Sequence, residues 1–548
     1  MNRSVISMIV LVIVIAACLL PFVHKAFHID DPLFLWAARQ INRDPCNFYG
    51  FDVNWADVPL PMSEVAKNPP LDSYYIALAA FVMGWGEIAL HAAFFVPALA
   101  AVIGTYFLAG ELCSMPLISA LAGVLTPVFL LSSTSVMCDT MMLSFWVWAL
   151  FLWIRGMKSN SNISLIASAV LISAASLTKY YGVSLIPLLL AYSLARERRF
   201  RYHLFFLLIP VAIQILYNLL THSLYGKGLL LDAFQFSSGY HPTADKTIFT
   251  RVLTGLSFTG GCLLTALFYT PLLWRKRIIA ACAFFALIIS LLSLGHMGPG
   301  TFFAASGGFN WPFAVQCFLF AAGGTSVLLL AASDLWTRRS ADSLLLFLWL
   351  MGTFIFATFL NWTVNGRSIL PMAPAVGVLA VRRLESIKTT DALGNFKRLV
   401  LPLIPSLIIS LLVVWSDYRL ADTARRAADV ISSKYADKAE SLWFQGHWGF
   451  QYYMEKKGGK PINALNVTLS LGDMVIVPHN NYSNYRIPKE WLGLVETARF
   501  SSARWLSTMS DSLRAGFYSD EKWGPLPFAF GPVGDEEYYE LIVDNLPK

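Results

Sequence analysis

Long apolar runs separated by short polar links dominate the first four hundred residues. Reading a run as a helix that crosses about 30 Å of hydrocarbon takes about 20 apolar residues, fewer where a helix is packed inside a bundle. On that basis thirteen spans are expected, near residues 5–23, 90–109, 116–134, 139–155, 162–178, 182–195, 204–221, 252–273, 278–294, 312–334, 342–360, 368–381 and 399–415. The first is read as a retained helix, because Pro21-Phe22-Val23-His24-Lys25 lacks the small-residue pattern of a cleavage site. After residue 415 the pattern changes. Leu420, Ala424, Ala427, Ile431 and Tyr435 step by three and four, predicting an amphipathic helix. A second helix is expected over His447–Lys457, ended by Gly458-Gly459, with strands at Met474–Val477 and Tyr538–Val543. The expected fold is mainly α: a polytopic helical membrane domain over 1–415 and a soluble α/β domain over 416–548.

Composition sharpens this. The 548 residues are 56% hydrophobic and 14% charged, against roughly a quarter charged in a soluble chain. The net charge of +7 is dispersed in short loops, which argues against a nucleic-acid partner. With the N-terminus inside, the dense basic clusters fall on one side: Arg196–Arg201, Arg275–Arg277, Arg338-Arg339 and Arg382-Arg383. This satisfies the positive-inside rule and sends the loop 24–89, the link 361–367 and the tail to the extracytoplasmic side. The seven cysteines show no zinc-ligand spacing; a Cys46–Cys138 disulfide is left open. No spacing links His222, His241 and His296 as ligands either. No cofactor is required, and a divalent metal stays open.

The candidate chemistry gathers at outer helix ends. Asp30-Asp31 follow the first span. Asp31, before Pro32, reads as a helix cap or as half of an acid pair in which each carboxylate raises the other's proton affinity. A carboxylate such as Asp30 can serve as base for an acceptor hydroxyl. Lys67-Asn68-Pro69-Pro70-Leu71-Asp72 leads into Ser73–Trp85, too short to cross and suited, with Tyr74, Tyr75 and Trp85, to the interface. Asp72 reads as a helix cap, and Asp139 as a cap or as a site acid. Lys179, after Thr178, either snorkels or binds phosphate; Arg367 stands at another outer helix start.

The ordered set of Asp30-Asp31, Pro69-Pro70-Leu71-x-x-Tyr74, Asp139 and Leu177-Thr178-Lys179 resembles the GT-C glycosyltransferases, in particular the protein O-mannosyltransferases and lipid A aminoarabinose transferases. The resemblance covers about residues 1–385. It implies an inverting transferase that moves a hexosyl or pentosyl group from a polyprenyl-phosphate donor to a lipid, glycan or protein acceptor. It implies Asp30 and Asp31 as the catalytic acid pair, with Asp31 standing where Glu is common. Lys67, Asn68, Tyr74, Asp139, Lys179 and Arg367 are then the substrate- and phosphate-binding candidates. Asn68 occupies the place of a family Lys, with Lys67 one position earlier. The setting implied is the cell envelope, at a bacterial inner membrane. Two other readings stay open: a ligase that moves a whole lipid-linked glycan, and a transporter or flippase, which the lack of repeats disfavours.

Overall fold

The computed structural model describes residues 3–55, 57–239, 247–298, 300–303, 307–387, 397–437, 441–481 and 485–545. His241 lies outside them.

Each of the thirteen expected segments is helical. Among the described residues, eight helices are long and apolar enough to cross a membrane, or nine if the pair Ile248–Cys262 and Leu264–Leu273, bent by 86°, counts as one span. Others are shorter or broken. The segment expected at 116–134 is two helices, Pro116–Val124 and Pro127–Ser132, split where Thr126 caps the second helix and Pro127 opens it. Burial sorts the spans. Cys138–Ser159 is 78% buried and central, whereas Tyr202–Tyr225 and Lys276–His296 are 28% buried and present apolar faces outward. Small residues permit the closest crossings: a Cβ on Gly260 would meet the Phe320 carbonyl at 1.9 Å, and one on Gly377 the Ser119 carbonyl at 2.2 Å.

The interfacial segment is the helix Leu71–Met83, and Leu78, Phe81, Val82 and Met83 at its far end are exposed. The amphipathic helix of the tail is not separate. It continues the last span as one helix, Leu403–Tyr435, because no Gly or Pro interrupts the chain between them.

The tail builds a five-stranded sheet in the order Lys460–Pro461, Leu442–Phe444, Met474–Pro478, Glu536–Val543, Leu492–Phe500. The first three strands run parallel, with the helix Trp448–Lys456 in the crossover between the second and the first, and the last two pairings are antiparallel. The first outer loop adds a hairpin, Asp52–Trp55 against Val58–Pro61. It docks on the tail: the Asn54 side chain donates to the Ile462 carbonyl at 2.8 Å, and Gln451 donates to the Asn54 carbonyl at 2.8 Å.

Two sets of polar contacts mark opposite ends of the bundle. Lys158–Glu111, Arg338–Asp334, Arg382–Asp334 and Arg196–Asp342 tie the basic ends together. Asp139, at the other end of the helix that carries Lys158, belongs to the site described next.

Candidate functional site

The site begins with strain. Ile29 is β-branched yet has φ +49°, a left-handed conformation that such residues avoid and that concentrates at functional sites. It turns the chain so that Asp30 and Asp31 point to different partners. Asp30 forms an ion pair with Arg367 at 2.9 Å, the aspartate 27% and the arginine 15% exposed. Asp31 is fully buried and accepts the backbone N–H groups of His28 at 2.8 Å and Val136 at 2.9 Å. Asp31 is therefore not an N-cap. It lashes the first outer loop to the chain before Cys138. Burial pushes its carboxyl up to about 7; Lys25 and the two amide bonds oppose this, and Asp30 adds to it.

Arg367 sits on the short helix Gly366–Ile369, capped by Asn365. Its guanidinium also donates to the Met137 sulfur at 3.1 Å and lies 5.7 Å from the Tyr518 ring centroid. One arginine thus joins the first outer loop, the link before the central helix, and the tail. Beside it, Lys179 pairs with Asp139 at 2.5 Å, the lysine 19% and the aspartate 1% exposed. Asp139 does not cap its helix, whose N-cap is Met137 with no side-chain bond. Asp139 is among the charges that act on Arg367, so the two ion pairs adjoin.

Other predicted residues stand apart from these four. Lys67 pairs with Asp232 at 2.7 Å; Asp232 is shared with Lys227 at 3.1 Å. Asn68 contributes its carbonyl, which accepts the Tyr49 hydroxyl at 2.7 Å. The Tyr74 hydroxyl donates to the Pro45 carbonyl.

Three features go beyond the sequence reading. Asp72 is not a cap either, since Pro70 holds that position without a side-chain bond. Its carboxylate is fully buried, and neither oxygen has a hydrogen-bond partner among the described residues. Burial, and then the charges of Asp139 and Asp31, raise it well above the usual carboxylate range. Lys25 and Asp417 form a fully buried ion pair at 2.7 Å, which also takes bonds from Thr508 at 2.7 Å and Tyr518 at 2.9 Å. Thirdly, the tail holds the arginine's loop. Asp520 accepts from the Thr363 hydroxyl at 2.7 Å and the Val364 amide at 2.8 Å, and the Gly366 amide donates to the Phe517 carbonyl at 2.7 Å.

Among the described residues, no group of three or more His, Cys, Asp or Glu side chains is placed to hold a metal ion. Cys46 is exposed, Cys138 is buried, and both are free thiols.

Residues 67–222 match the family described as dolichyl-phosphate-mannose-protein mannosyltransferases. No curated protein matches the sequence. Among solved structures, ArnT from Cupriavidus metallidurans bound to undecaprenyl phosphate is similar at 13% identity and a TM-score of 0.52, over 87% of this chain and 93% of that one. An oligosaccharyltransferase from Archaeoglobus fulgidus, tethered to an acceptor peptide, aligns at 14% identity and a TM-score of 0.49, over 85% of this chain. The chain spans 65% of the length of that archaeal protein. The fold is that of the GT-C glycosyltransferases, as the ordered motifs implied.

Proposed function

We propose that this membrane glycosyltransferase of GT-C type moves a single sugar from a polyprenyl-phosphate donor to an acceptor hydroxyl, with inversion, on the extracytoplasmic side. The observation that carries this reading is the Asp30–Arg367 ion pair next to Lys179–Asp139, at the bundle end opposite the basic clusters. That end is extracytoplasmic by the positive-inside rule.

The chemistry follows from the pairs. An incoming donor phosphate competes with Asp30 for Arg367 and frees the carboxylate. The acceptor oxygen then forms a bond to the anomeric carbon as the bond to the phosphate oxygen breaks, the electron pair leaving with the phosphate. Asp30 takes the acceptor proton. Arg367 and Lys179 stabilise the charge that develops on the leaving phosphate. Asp31, shielded and held by amides, positions Asp30 rather than touching substrate. The donor's apolar tail stays in lipid, for which the exposed apolar end of Leu71–Met83 offers a lateral surface. The undecaprenyl phosphate bound by the structurally similar ArnT fits a donor of this class.

The test is a panel of radiolabelled polyprenyl-phosphate sugars incubated with purified protein and envelope lipids. Lipid-phosphate release together with a product of opposite anomeric configuration supports the reading. Retained configuration, or no release from any donor, refutes it.

A further inference from the structure

The end of the bundle that carries the basic clusters holds an open groove of about 460 Å³. Termini of three helices meet there: Leu185–Glu197, Trp311–Arg338 and Ala341–Ile355. Only Arg339 and Ser340 join the last two. Ala195, Ala332 and Ala341, one from each helix, line the groove. A methyl group at each position leaves a gap that longer side chains would close. The remaining wall is of two kinds. Trp336, Leu344 and Phe347 give apolar surface, with the indole 76% exposed. Arg339 and Ser340 give polar atoms.

Two observations on Arg339 point to a ligand. Among the described residues its guanidinium forms no ion pair and no hydrogen bond; it lies 5.6 Å from the centroid of the Trp336 ring. Neighbouring cations are answered. Arg338 and Arg382 share Asp334, each at 3.1 Å. Arg196 donates to the Tyr192 hydroxyl at 3.0 Å and lies 3.9 Å from Asp342. Asp334 and Asp342 are the acids nearest to Arg339 in the chain, and both are thereby engaged. Arg339 also has φ +46°. The position after the last helical turn is usually Gly, sometimes Asn, because other side chains are strained in the left-handed region. Here the strain is carried to set an unpaired guanidinium on the groove wall.

The surroundings define the ligand. By the positive-inside rule this end faces the cytoplasm. An exposed indole at a helix end belongs to the interfacial belt, so the groove lies at headgroup level. Ala332, Trp336 and Arg339 step by four and three along one helix and its cap. Ala341, Leu344 and Phe347 step by three along the next. Residues so spaced share a face, so two stripes run from the polar link into the bundle. A cation and a hydroxyl at the polar end of an apolar groove fit a phosphate that carries acyl chains. A zwitterionic lipid would bring its own cation beside Arg339; an acidic one would not.

We propose that this groove binds an anionic phospholipid of the cytoplasmic leaflet, with Arg339 holding the phosphate and the alanine-lined channel holding an acyl chain. The proposal does not rest on the transferase reading, since the groove lies at the other end of the bundle from Asp30 and Arg367.

The test is native mass spectrometry of the full-length protein in detergent, titrated separately with phosphatidylglycerol, phosphatidylcholine and undecaprenyl phosphate. Phosphatidylglycerol is expected to bind about fivefold more tightly than phosphatidylcholine, the effect of one cation on an anionic headgroup. Arg339→Gly removes charge and strain together. It should lose that preference, while its unfolding midpoint in lipid-free detergent is not lowered. Ala332→Trp fills the groove with Arg339 in place and should weaken phosphatidylglycerol by a similar factor. Undecaprenyl phosphate binding should be unchanged in both variants. Equal affinity of the wild type for the two phospholipids, or phosphatidylglycerol binding unaffected in both variants, overturns the site. Displacement of phosphatidylglycerol by equimolar inorganic phosphate also overturns it, since a bare anion site would then suffice. So does displacement by undecaprenyl phosphate, which would make the groove a place for the donor lipid.

Discussion

The Asp520 carboxylate accepts the Thr363 hydroxyl at 2.7 Å, four positions before Arg367. A side chain of the C-terminal tail thereby fixes the loop that carries Arg367 to Asp30. Removing it leaves the Thr363 hydroxyl and Val364 amide without their acceptor and lets the loop drift. Misplacement by about 1 Å can cost about 100-fold in rate. Asp520→Ala is therefore expected to lower lipid-phosphate release by about 10- to 100-fold, with Asp520→Asn restoring part of it, in single-turnover assays.

The Lys25–Asp417 pair ties the end of the first span to the last one, out of solvent contact. Asp417→Ala strands a buried ammonium and is expected to destabilise by about 3–5 kcal/mol. The double replacement Lys25→Met with Asp417→Leu is expected to cost less, because no charge is left unpaired. Thermal unfolding in detergent compares them; equal losses would contradict a buried ion pair.

Asp31 sets a pH dependence with a definite sign. Its folded-state pKa is raised to about 7, so the folded protein binds the proton more tightly than the unfolded chain. Its contribution to stability is then fully present below the ordinary carboxylate pKa of about 4 and is lost as pH rises to about 7. His28, lowered to about 4, runs the opposite way up to about 6.5 and masks part of the effect. The difference between wild type and Asp31→Asn isolates the aspartate. Unfolding midpoints measured from pH 4.5 to 7.5 should show that difference shifting against the wild type as pH rises.

Among the described residues, Lys179 is the one ion-pair partner of Asp139, which is 1% exposed. Lys179→Gln is expected to weaken donor binding and also to destabilise the fold. In Lys179→Gln with Asp139→Asn the stability returns while donor affinity stays low. Binding of undecaprenyl phosphate, read alongside the unfolding midpoint, separates the two effects.

Much of this was legible in the chain. Every apolar run expected as a span is helical, because burial in lipid demands long continuous stretches, whereas the helix Leu229–Gly239 falls outside those runs. Asp30, Asp139, Lys179 and Arg367 were legible as polar residues at helix ends on one side, and the fold brings them together. Asp31, Asp72 and Asp139 looked like caps because short acids before helices usually are; only tertiary contacts reveal that none caps. The Lys25–Asp417 pair and the clasp of Asp520 on Thr363 join distant parts of the chain and carry no local pattern. The strand Leu492–Phe500 escaped notice because it is a largely exposed edge with little alternation.

The central claim is that Asp30, released from Arg367 as the donor phosphate binds, removes the proton of the acceptor. Asp30→Asn preserves shape and hydrogen bonding to the guanidinium but loses the base. Single-turnover release of lipid phosphate from a polyprenyl-phosphate sugar, in the presence of acceptor membranes, should fall by about 100- to 10,000-fold while donor binding persists. Release at the wild-type rate would contradict the account.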